Sequence, residues 1–186
     1  MVLAHVPPEH AAGGSDEAAA FVSAAPPQLL IHPPSWAVLS STGRDVVLRH
    51  ELTHVATGGT HDADARLPAW LVEGAAEWTA WRAVPWPDAR VAPELAALVR
   101  AGRSPAHLPT DADLSPNAPD AAAQYSSAWL AVREIVRRAG PARLVRLVHA
   151  LEQQPGRTFA AVFQAETGDT LARLQQRWRL ALSRLR

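Results

Sequence analysis

His50-Glu51-Leu52-Thr53-His54 places two imidazoles and a carboxylate within five residues. On a helix, residues four apart share a face about one turn from each other, so both rings can reach a single metal ion. Two neutral imidazole nitrogens suit zinc, and a glutamate between them lies beside the metal's open position. There it can take a proton from bound water, which is the general-base step of metal-assisted hydrolysis. His50 and His54 are therefore expected metal ligands, and Glu51 the expected base.

A catalytic zinc normally has three protein ligands and a water. Glu73 is the leading candidate for the third ligand. It lies 19 positions after His54, within Pro68-Ala69-Trp70-Leu71-Val72-Glu73-Gly74-Ala75-Ala76-Glu77-Trp78. A helix, a loop and an antiparallel helix can return that carboxylate to the histidine face. Trp70 and Leu71 anchor the segment, and Gly74 permits close approach of backbone or substrate. Glu77 is one turn beyond Glu73 on the same face. Metal-bound histidines usually donate their second ring N–H to such a carboxylate, so Glu77 is expected to hold His50.

The elements that must carry these residues follow from the pattern. Leu48, Leu52 and Val55 form a helical stripe, and Ser41, Thr42 or Asp45 can cap a helix running from about Asp45 to Ala56. Gly58-Gly59 stops it, a polar loop covers 57–67, and Pro68 suits the first turn of a second helix over Ala69–Ala83. Upstream, Val2–Val6 and Gln28–Ile31 read as strands, Ala11–Ser15 as a turn and Asp16–Ser23 as a short helix, with Pro33-Pro34 closing the second strand. Downstream, helices are expected over Ala92–Gly102, 120–139, 141–153, 158–167 and 170–185, with a Pro-, Asp- and Ser-rich loop at 103–119. The expected fold is α+β: a small N-terminal sheet, an active-site helix pair and a C-terminal helical lobe. Its parts are a metal-carrying lobe at 1–102, the loop at 103–119 and a helical lobe at 120–186, together one compact domain.

Composition narrows the function. The 186 residues are 48% hydrophobic and 19% charged, enough for a buried core. Net charge is zero, which argues against a nucleic-acid partner. Residues 1–120 carry 7 Arg against 14 acids (−7), and residues 121–186 carry 11 Arg against 4 acids (+7). That asymmetry reads as a solvated basic helical face, and its alternative is a patch on the Arg-rich C-terminal helices for an anionic partner. Cysteine is absent, so neither disulfides nor thiolate ligands contribute. No apolar run approaches the roughly 18 residues of a membrane span, and the start lacks the pattern of a signal peptide.

The pentapeptide His50-Glu51-Leu52-Thr53-His54, 18 intervening residues and then Glu73 within Trp70-Leu71-x-Glu73-Gly74-x-Ala76-Glu77-Trp78 resemble the gluzincin metallopeptidases. The likeness is to the peptidase MA-like group related to aminopeptidase N-type enzymes, and it is most specific over residues 46–80. It implies one Zn2+ ion held by His50, His54 and Glu73, with Glu51 as general base and a peptide or protein as substrate. An extracytoplasmic location is common in that family. The aminopeptidases' Gly-x-Met-x-Asn substrate strand is not visible. The tetrahedral oxyanion needs a donor besides zinc. The family often uses a tyrosine on a following helix, so Tyr125 is the candidate; its alternative is packing at a helix–helix contact. His149 is a second candidate donor.

The leading expectation is thus a zinc-dependent peptidase, and the alternative is a catalytically inactive zincin-like module that binds a peptide or partner. An intact Glu51 favours the first, because a structural zinc site needs no base. His61 and Asp62 read as a solvated loop. His5, His10, His32 and His107 read as structural or surface residues. Trp70, Trp78 and Trp81 are expected to pack the Glu73 helix onto the motif helix.

Overall fold

The computed structural model describes residues 3–5, 20–24, 27–57, 67–115, 117–154 and 156–185. Among these, the strands are short: β1 (Leu3–His5), β2 (Ala20–Ala24) and β3 (Pro27–Ile31). Their order is β1-β3-β2, with β1 parallel and β2 antiparallel to β3. Helix supplies nearly everything else: α1 (Pro33–Ala37), α2 (Ser41–Ala56), α3 (Ala69–Trp81), α4 (Asp88–Val91), α5 (Pro93–Arg100), α6 (Ala121–Ala139), α7 (Pro141–Gln153), α8 (Phe159–Thr167) and α9 (Leu171–Leu182), ending in a 3-10 turn at Ser183–Leu185.

The α+β expectation is corrected by this structure, which is essentially all-helical. The physical reason is where apolar surface is buried. Among residues whose burial is described, Leu29 is the one core hydrophobe contributed by a strand. Nearly all the other buried hydrophobes lie on helices, so helix packing rather than the short strands forms the core. Residues 20–23, expected at the end of a short helix, are extended in β2 and pair with β3 from Ala20↔Ile31 to Ala24↔Pro27. Cross-strand pairing outweighs the helix propensity of the alanines there. Pro33 and Pro34 open α1 at its first positions, where a missing N–H costs nothing. The expected turn at Ala11–Ser15 lies outside the described residues.

The chain divides into two compact units. Unit 1 comprises residues 1–65 and 79–83, and in it α2 packs on β2 and β3. Unit 2 comprises residues 66–78 and 84–186. The helix α3 is counted with unit 2 as far as Trp78, and its last turn with unit 1.

The centre of unit 2 is α6, which contacts α5, α7 and α9. Its buried residues Ala128, Trp129, Leu130, Ala131, Val132 and Ile135 cover almost the whole circumference, as expected of a central helix. Gly140, at φ +86°, separates α6 from α7 with a conformation that side chains disfavour. The indole of Trp178, fully buried on α9, donates to the Ser127 carbonyl at 3.3 Å. No described helix is long and apolar enough to cross a membrane.

Candidate metal centre

The histidine helix begins earlier than its sequence suggests. Ser40 is the N-cap, its hydroxyl accepting from the Gly43 N–H at 3.1 Å. A glycine in the first turn is tolerated, so the helix starts at Ser41 rather than near Asp45. Further along, the hydroxyls of Thr53 and Thr57 donate back to the carbonyls of Arg49 (2.7 Å) and Thr53 (2.8 Å). The exposed Arg49–Asp45 pair, 3.7 Å apart, contributes little.

On this helix the Nε2 atoms of His50 and His54 lie 3.0 Å apart. The rings meet edge to face, with centroids 4.8 Å apart. His54 is buried and His50 half-buried. Two imidazole nitrogens on a tetrahedral zinc would be separated by about 3.3 Å, given Zn–N bonds of about 2.0–2.1 Å. The observed spacing is close to that value.

Glu73 sits in the second turn of α3 and is 2% exposed. One ligand atom each from His50, His54 and Glu73 lie within 4.8 Å of one another. Two imidazoles and a carboxylate form a donor set suited to zinc, with one coordination position left for solvent. The three residues present therefore fit one such ion. Glu51 is half-buried and adjoins His50 on α2. Glu77 is also half-buried, one turn beyond Glu73 on α3. Neither belongs to the three-residue group.

The Glu73 helix is held within unit 2 by close contacts on both sides of the carboxylate. Trp70 meets the Phe159 ring edge to face, centroids 6.0 Å apart, so its ring contact is with α8. A Cβ at Gly74 would stand 2.5 Å from the Ala128 carbonyl oxygen and 2.7 Å from Val132 Cγ2. The close approach expected at this glycine is thus made by the backbone of α6. The Ala69 N–H at the start of α3 donates to Asp111 Oδ1 at 3.2 Å. Asp111 carries no local signal of this role, because 42 residues separate it from the helix it caps.

The Tyr125 hydroxyl donates to the Leu114 carbonyl at 3.3 Å. His149, an exposed residue of α7, lies 3.5 Å from the Glu152 carboxylate. His32 meets the Ser35 hydroxyl at 2.8 Å, and His107 is exposed and bonded to the Leu108 carbonyl at 3.0 Å. His61 and Asp62 lie outside the described residues, as does His10.

Searches against protein-family models, curated proteins and solved structures find no match to this chain.

Proposed function

We propose that this chain is a zinc-dependent metallopeptidase. The observation that carries this reading is the grouping of one ligand atom each from His50, His54 and Glu73 within 4.8 Å, two of the three residues being buried. Glu51, placed between the two histidines in sequence, adds a group that a purely structural zinc site does not require.

His50, His54 and Glu73 would hold the ion. Bound zinc supplies Lewis acidity, lowering the pKa of a coordinated water to about 7 and polarising a carbonyl. The Glu51 carboxylate accepts the proton of the attacking water and returns it to the departing amine nitrogen. The two imidazoles present their Nε2 atoms, so their Nδ1 positions are left to fix tautomer and ring orientation. Glu77, a second carboxylate one turn beyond Glu73 on the same helix, would be the group that holds His50.

The test pairs metal analysis with a peptide-library cleavage assay on the wild type and Glu51→Gln. The expected outcome is about one zinc per chain in both proteins and cleavage by the wild type alone. Zinc bound in both with cleavage by neither would favour the inactive partner-binding alternative. Unchanged turnover in Glu51→Gln would remove the mechanism.

A further inference from the structure

The loop between α5 and α6 contains a tight turn whose role the hydrolytic scheme leaves open. In that turn the Thr110 N–H and hydroxyl both donate to Asp113 Oδ2, at 2.8 and 2.7 Å. The amides of Asp113 and Leu114 return to the Thr110 carbonyl at 3.1 and 3.3 Å. Leu114 is buried and anchors the end of the turn. Its carbonyl accepts from the Tyr125 hydroxyl, which comes from the second turn of α6. Asp111, at the apex, accepts from the Ala69 N–H.

We infer that the Thr110–Leu114 turn is a clamp on the start of α3, with Asp111 and Tyr125 acting as positioning residues for the Glu73 carboxylate. The consequence for the metal rests on the zinc reading above.

Three observations support the clamp. First, Pro68 precedes α3 and brings no side-chain acceptor, so a side-chain cap comes from another segment. An aspartate there also matches the positive end of the helix dipole. Second, Glu73 lies between two fixed points, four residues after the capped Ala69 and one before Gly74. Third, both points lead to the same helix. Gly74 abuts Ala128 directly, while Asp111 reaches α6 through Leu114 and Tyr125, one turn before Ala128. The helix that carries the ligand is therefore referenced twice to the central helix of unit 2. A ligand held in place before the metal arrives needs less ordering on binding.

A clamp role for the Tyr125 hydroxyl, which donates to the Leu114 carbonyl, and a role as donor to the reacting carbonyl differ in what they do to metal affinity. A donor would lower turnover and leave metal affinity intact. A positioning residue lowers metal affinity itself.

The test measures Zn2+ affinity of the metal-free protein by competition with a chromophoric chelator, for Asp111→Ala, Asp111→Asn, Tyr125→Phe and Asp111→Ala/Tyr125→Phe. Amide hydrogen exchange over the first turn of α3 is followed in parallel. Losing a cap of this kind corresponds to about a 3- to 10-fold loss of affinity. Asp111→Ala and Tyr125→Phe should each bind zinc that much more weakly, with faster exchange at the start of α3. Asp111→Asn retains an acceptor oxygen and should remain near wild type. The double variant should lose less than the product of the single losses, since both act through one turn. Wild-type zinc affinity in folded Asp111→Ala and Tyr125→Phe would overturn the clamp, as would a loss confined to turnover in Tyr125→Phe. If the wild type binds no zinc, the metal reading fails by itself. Exchange at α3 then decides the clamp: faster exchange in Asp111→Ala supports it, and unchanged exchange overturns it.

Discussion

The Nε2 atoms of His50 and His54 face each other at 3.0 Å across one turn of α2. Two nitrogen lone pairs at that distance repel unless a proton or a cation lies between them. Replacing either histidine with alanine should therefore weaken Zn2+ binding by more than about 100-fold, the upper range seen even for groups that merely support metal ligands. Glu73→Ala should do the same. Chelator competition at neutral pH reads all three, and circular dichroism shows whether the fold persists.

Glu51→Gln separates binding from chemistry. The amide keeps the size of the side chain but cannot accept the proton. Zinc content should stay at the wild-type level while turnover of a cleaved peptide falls about 10²- to 10⁴-fold. The check is kcat and metal content determined on the same preparation.

Gly74→Ala should destabilise the protein, although alanine is ordinarily favoured over glycine within a helix by about 1 kcal/mol. The new methyl would meet the Ala128 backbone at 2.5 Å, and backbone cannot rotate aside. An overpacked site of this type costs about 1–3 kcal/mol, which for a chain of this size lowers Tm by very roughly 2–12 °C. Thermal melts of the metal-free protein test this without involving activity.

Acid should loosen the turn that caps α3. Hydrogen bonds from the Thr110 hydroxyl, then from its backbone N–H, hold the Asp113 carboxyl below its ordinary value of 3.8; burial opposes them and the charge of His107 adds to them. A depressed folded pKa means that the stabilisation is fully present above the ordinary value and is lost as pH falls through the folded one. Asp113→Asn should thus be less stable than wild type at about pH 6, with the gap closed at an acid pH below the depressed folded value, itself under 3.8. Asp169 follows the same sign. Its burial raises the pKa, but hydrogen bonds from Arg177 and the Thr170 N–H, together with the charges of Arg177 and Arg173, bring it below the ordinary value. Urea denaturation at the two pH values measures both effects.

What could be read from the chain was local. The four-residue spacing of His50 and His54 is a property of one helix, and so is the placement of Glu77 one turn after Glu73. Helices bounded by strong punctuation, such as α7 between Gly140 and the Pro155 region, were also legible. Features decided by distant partners were not. The extended state of Ala20–Ala24 depends on β3, and the dominance of helix over sheet depends on which elements bury apolar surface. Ser40 stands one residue before the candidate caps Ser41 and Thr42, and only the Gly43 N–H bonded to its hydroxyl marks it as the cap. Asp111 looked like one of several loop acids, and nothing near it in sequence indicates a helix 42 residues earlier.

That separation has a consequence for biosynthesis. Both imidazoles and Glu73 leave the ribosome well before Asp111, Tyr125 and Ala128, the residues that seat the Glu73 helix. A nascent chain that stops short of Asp111 would expose His50, His54 and Glu73 without the contacts that seat the Glu73 helix, since a contact spanning many residues forms only after its later partner has emerged. On the zinc reading, tight cation capture would thereby wait until Asp111, Tyr125 and Ala128 have also emerged.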